Sequence, residues 1–141
     1  MSFLSSLNIS GSGLTAQKLR MDVIAQNIAN AETTRTEEGG PYLKKSVVFA
    51  ERSPSFADIL KGKERMGGVA VTGIVQDENA VRMVYDPGHP DADAAGYVAM
   101  PDISTVEEMV DLITAGRSYE SNITAFNAVK YMAAKALEIG K

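Results

Sequence analysis

From Pro101 to Lys141 the chain carries a seven-residue apolar repeat, and no other feature constrains its fold as strongly. Met109, Gly116, Ile123 and Leu137 form one track, and Leu112, Tyr119, Phe126 and Ala133 a second one three residues later. Tracks spaced in this way are the a and d positions of a coiled-coil helix. Lys130 alone interrupts them. Ser104 and Thr105 each precede a glutamate by three residues, Glu107 and Glu108, so either can build a capping box at the helix start. Carboxylates gather in the first turns and Lys130, Lys135 and Lys141 near the end, the polarity that a helix dipole favours. At ~1.5 Å per residue such a helix reaches about 50 Å, more than a small domain needs, so its stripe must be covered by a partner.

Residues 2–31 repeat the pattern at the other end. Leu7, Leu14, Met21 and Ile28 recur every seven residues, with Leu4 and Ile24 beside them. Gly11 and Gly13 weaken this helix by about 1 kcal/mol each relative to alanine, and Ser10 and Ser12 add competing hydrogen bonds. A helix of this quality forms by packing, not by propensity. The two terminal helices are therefore expected to pair as an antiparallel coiled coil. Phe3, Val23, Val110, Ile113 and Val129 lie off the best stripes, which leaves apolar surface for further chains.

The middle changes character. Glu37-Glu38-Gly39-Gly40-Pro41 reads as a turn, and Tyr42 to Ala50, with Val47, Val48 and Phe49, as a strand whose Lys44 and Lys45 suit an exposed edge. Residues 53–68 combine a short apolar turn with the charged run Lys61 to Arg65 and read as a mobile loop. Val69, Val71, Ile74 and Val75 suggest a second strand and Ala80 to Tyr85 a third, joined by a hairpin turn at Asp77-Glu78-Asn79. The fold class is thus α+β. Residues 1–31 and 101–141 form a discontinuous helical domain for assembly, and residues 32–100 a small antiparallel β module between its halves.

Composition excludes several functions. The formal charge is −4 with no basic run, which argues against a nucleic-acid or anionic-membrane surface. Without cysteine there is neither a disulfide framework nor a thiolate metal site. No stretch approaches the ~18 to 20 apolar residues of a membrane span, and the N-terminus lacks the pattern of a cleaved secretory signal. Asp86-Pro87-Gly88-His89-Pro90-Asp91-Ala92-Asp93 places the one histidine beside three carboxylates. Asp91, Asp93 and Gly96 even match EF-hand positions, but Ala95 and Asp102 break the ligand pattern. Proline and glycine at this density make a rigid turn in which aspartates bond nearby backbone N–H groups. Gly11-Ser12-Gly13 lacks the spacing of a phosphate loop, and the sequons at Asn8 and Asn122 fall inside helices. No catalytic residue, cofactor or metal site is expected.

Several runs bear a family likeness. Gly13-Leu14-Thr15-Ala16-Gln17, Arg20 to Ala25, Asn27-Ile28-Ala29-Asn30-Ala31 and Thr33-Thr34-Arg35 resemble the N-terminal signature of bacterial flagellar rod and hook axial proteins. Val106 to Ile113, with Arg117-Ser118-Tyr119-Glu120 and Asn122, resembles the matching C-terminal signature. Glu38 to Tyr42, Val47-Val48-Phe49, Asp86 to Asp93 and Gly96-Tyr97-Val98 look like the proximal-rod branch of that family. Gly116 and Ser121 depart from it, toward smaller or more polar residues. The resemblance implies a structural subunit, not an enzyme, exported unfolded through the flagellar type III apparatus without cleavage and helical at its ends once assembled in the periplasmic rod. Its implied partners are copies of itself and neighbouring rod proteins of the FlgB, FlgF, FlgG and FliE types, with no nucleic acid and no direct lipid binding. The residues expected to pack between subunits are Leu7, Leu14, Met21, Ile24, Asn27, Ile28 and Asn30 from the first helix. From the second they are Met109, Leu112, Tyr119, Asn122, Ile123, Phe126 and Leu137. A soluble helical adaptor or export chaperone, burying the same stripe within a stable monomer or dimer, is the alternative.

Overall fold

A computed structural model describes residues 3–53, 60 and 67–139. The charged run Lys61 to Arg65 and most of the loop expected at 53–68 lie outside the described residues. Two long helices enclose four strands in chain order: α1 (Phe3–Ala29), β1 (Lys45–Glu51), β2 (Val69–Gln76), β3 (Val81–Tyr85), β4 (Tyr97–Pro101) and α2 (Thr105–Ile139). Ser104 starts α2: its Oγ accepts the Glu107 N–H at 3.4 Å and its carbonyl the Glu108 N–H at 3.0 Å. The helix begins where the capping pattern puts it, and Pro101 closes β4.

The helices lie antiparallel, since Asn27 meets Glu108, Arg20 approaches Asp111 and Gly13 faces Asn122. The register differs from the apolar tracks by one residue. On α2 the side turned toward α1 carries Glu108, Ala115, Asn122 and Val129 beside Leu112, Tyr119, Phe126 and Ala133, and all of these are buried or half-buried. The second track holds, whereas the first shifts from 109, 116 and 123 to 108, 115 and 122. On α1 the buried positions are Gly13, Ala16, Val23, Ile24 and Asn27, while Leu7, Leu14, Met21 and Ile28 are half-buried on a flank. Small residues in the inner seam let the backbones approach. A Cβ on Gly13 would stand 3.1 Å from Asn122 Oδ1, so this glycine serves the crossing as much as it weakens the helix.

Four strands form two separate antiparallel ribbons, β1–β2 and β3–β4. The expected hairpin between β2 and β3 does not form. Asp77 still turns the chain, its carbonyl accepting Ala80 N–H and its Oδ1 Asn79 N–H, but β3 pairs forward with β4. A bulge opposite Val48 and Phe49 leaves Thr72 of β2 as the extra residue, and α1 packs on this ribbon. Ser12 fastens the join: its Oγ accepts Val69 N–H at 3.0 Å, and Gly68, at φ +138°, leaves room that a Cβ 2.6 Å from that oxygen would take. A buried cluster of Ala31, Tyr42 and Ile103 joins the segments that follow α1, precede β1 and precede α2.

Candidate functional site

A buried polar knot holds the two helices to the β module. Asn27 lies near the end of α1 at 1% exposure, and all four hydrogen-bonding positions of its side chain are occupied. Its Nδ2 donates to Lys45 O at 2.9 Å and to Glu108 Oε2 at 3.0 Å, while its Oδ1 accepts from Tyr42 O–H and Lys45 N–H, each at 3.0 Å. The amide therefore meets both backbone groups of Lys45, as a neighbouring strand would. Glu108, 2% exposed, takes Lys44 Nζ on its other oxygen at 2.8 Å. A buried carboxylate is tolerable only when so paired.

The knot corrects the expected strand start. Residues 42–44 lie before the strand, with Tyr42 N–H donating to Thr33 O beyond the end of α1 at 3.0 Å, and the ladder begins only at Lys45. Lys44 and Lys45 are half-buried and do not line a free edge: one pairs with Glu108, and the other places Nζ 5.3 Å from the Tyr42 ring. Hydrogen bonding to Glu108 holds the Lys44 ammonium above its ordinary pKa, against the opposing effect of burial. Burial, with the Glu108 charge behind it, likewise raises the Tyr42 phenol. A cleft of about 320 Å³ opens beside the knot, lined by Arg20, Ser46, Phe49 and Asp111 among others.

The proline-rich segment is a turn, as its composition suggests. Asp86 Oδ1 accepts Gly88 N–H, and Asp93 Oδ1 accepts both Ala95 and Tyr97 N–H. Asp91 reaches across 57 positions to take Thr34 O–H at 2.9 Å and pairs with Arg35 at 2.7 Å. Two signature runs that are far apart in sequence therefore meet, and the carboxylates are spent on structure.

The sequence-predicted packing residues divide into two groups. Ile24, Asn27, Leu112, Tyr119, Asn122 and Phe126 are buried or half-buried on the sides where the helices meet within the chain. Asn30 ends α1, its Nδ2 donating to Gln26 O and its Oδ1 accepting Thr33 O–H. Met109, Ile123 and Leu137 stay exposed, and Leu7, Leu14, Met21 and Ile28 half-exposed. The sequence reading did not assign two exposed apolar patches on α2 to a face. Val106, Val110 and Ile113 near the helix start and Tyr131 and Ile139 near its end lie on the side away from α1, from 58% exposed at Val110 to 83% at Ile139, with Arg117, Glu120, Thr124 and Asn127 at the helical steps between the two patches. Val110 and Ile113 are the surplus apolar residues of the first patch; Tyr131 and Ile139 form the second.

A slender helical hairpin with apolar patches of one helix turned outward and carboxylates committed to turns defines a structural subunit, built to be completed by neighbours. Models of known families match both ends: "Flagella basal body rod protein" over residues 7–35 and "Flagellar basal body rod FlgEFG protein C-terminal" over residues 94–139. The flagellar basal-body rod protein FlgC of Bacillus subtilis (strain 168) is 47% identical, with all of both chains covered. The FlgC proteins of Borreliella burgdorferi (44%, covering 99% of this chain and 98% of that one) and Salmonella typhimurium (41%, all of both) are similarly close. The chain belongs to the flagellar basal-body rod protein FlgC family. These relatives are rod proteins, and the adaptor or chaperone reading gains no support from them.

Proposed function

We propose that this chain is a structural subunit of the bacterial flagellar basal-body rod, polymerising through its terminal helices into part of the axial shaft and the export channel wall. One observation carries the mechanism: α2 buries one side against α1 and holds apolar patches on the other, Val106, Val110 and Ile113 near its start and Tyr131 and Ile139 near its end, open to solvent. A monomer gains nothing from those patches, whereas a packed tube of helices covers them. Residues 1–31 and 101–141 act as the assembly domain and residues 32–100 as a module that orients it. The exposed members of the predicted set, Met109, Ile123 and Leu137 on α2 with the Leu7, Leu14, Met21 and Ile28 flank of α1, face adjoining subunits; Asn27 and its partners keep each subunit's own helices in register. The neighbours are further copies and rod proteins of the FlgB, FlgF, FlgG and FliE types in the periplasm, reached through the flagellar type III export apparatus without a cleaved signal. Val110→Asp combined with Ile113→Asp tests this. Purified protein should unfold at the wild-type midpoint, since both side chains are exposed, yet cells should export the variant, fail to build rods and not swim. Normal swimming by that variant would overturn the proposal.

A further inference from the structure

The β3–β4 ribbon has two unlike faces. Val98 is fully buried on one. The other presents Met83, Tyr85 and Tyr97, with Tyr85 64% exposed and its ring edge-on to Tyr97 at 5.3 Å between centroids. In sequence the ribbon and its flanking turns are acidic: between positions 77 and 102 stand Asp77, Glu78, Asp86, Asp91, Asp93 and Asp102 against Arg82, and of these Asp91 is paired, with Arg35. The far end of α2 is the complement. Tyr131, Met132 and Ile139 share its outer side with Lys135, which pairs with Glu138 at 2.6 Å, and the sequence from 130 onward keeps a basic excess, Lys130, Lys135 and Lys141 against Glu138.

These two surfaces cannot meet within one chain. β4 ends four residues before α2 starts, and the 35 residues of α2 carry its other end about 50 Å away at ~1.5 Å per residue. We infer that the Met83/Tyr85/Tyr97 face receives the Tyr131–Ile139 end of α2 from a second copy of this chain. Such a contact is head-to-tail, so each copy offers one face and one tip, and repetition gives an open row instead of a closed dimer. The inference rests on the rod reading and adds to it which surface seats which end.

The chain has no cysteine, so a two-cysteine variant reports the contact cleanly. Basal bodies are isolated from cells whose only copy carries Met83→Cys with Ile139→Cys, then oxidised and resolved without reductant. A ladder of dimers and higher multimers of this chain is expected. It should be lost in either single-cysteine variant, and fall roughly tenfold when Lys130→Glu and Lys135→Glu are added, as two surface charge reversals allow. A second pair, Tyr85→Cys with Met132→Cys, should give the same ladder. Chain that is present in basal bodies but stays monomeric with both pairs, or cross-links only to a different rod protein, overturns the inference and leaves the rod reading standing. Absence of the unmutated chain from basal bodies overturns both.

Discussion

Gly13 of α1 and Asn122 of α2 stand face to face where the helices cross, so close that a Cβ at position 13 would meet Asn122 Oδ1 at 3.1 Å and Nδ2 at 3.2 Å. Gly11 and Gly116 have open space instead. Gly11→Ala and Gly116→Ala should therefore each stabilise the isolated subunit by about 0.5–1 kcal/mol, the ordinary helical gain. Gly13→Ala should lose that gain and more by pushing the helices apart. Urea midpoints of the three variants check the ranking; equal shifts would show that the crossing does not depend on this glycine.

Asn27 and Asn30 sit three residues apart in the same signature run but do different work. Asn27→Leu strands Tyr42 O–H, Glu108 and both backbone groups of Lys45, and should cost about 3 kcal/mol or more at ~1–3 kcal/mol for each buried group left unpaired. Asn30→Ala loses one exposed bond within its own helix end and one to Thr33, and should cost under about 1 kcal/mol. Chemical denaturation of both variants measures the gap. Comparable losses would deny Asn27 its central place.

Lys44 and Tyr42 both hold their protons more tightly in the folded state than in the unfolded one. The stability that this gives is complete below the unfolded values of ~10 to 10.4 and is lost as pH rises through the higher folded values. Wild type should therefore lose stability relative to the double variant Tyr42→Phe, Lys44→Met only above about pH 10. A difference that already changes between about pH 6 and 8 would place the linkage in some other group.

The element types were readable because periodicity and capping are local: Ser104 with Glu107 marks the start of α2, and the Leu112, Tyr119, Phe126 and Ala133 track faces α1 as its spacing implies. The register of the other track was hidden because polar or small residues hold the inner seam. Glu108 and Gly13 look like surface or breaker residues, Asn27 and Asn122 are polar positions outside the apolar tracks, and it takes Lys44, 64 positions from Glu108, together with the Asn27 amide to make a carboxylate acceptable there. Lys130 was the local sign, since its interruption of the 109, 116, 123 track falls on a face that stays exposed. Strand pairing was unreadable for a related reason. The Asp77 turn is genuine, but a turn does not say whether the next strand folds back or moves on, and Gly96, at φ +83° with Tyr85 2.9 Å from any Cβ, fixes the β3–β4 return instead.

The central claim, that the outer apolar patches of α2 are buried by neighbouring subunits, is most directly tested by thiol labelling of single-cysteine variants, because the chain has no cysteine of its own. Val110→Cys and Ile113→Cys should react with a maleimide rapidly in the purified subunit and become protected in isolated basal bodies, whereas Glu78→Cys, on an exposed turn, should react at similar rates in both. Equal labelling of positions 110 and 113 in the free and assembled states would contradict the claim.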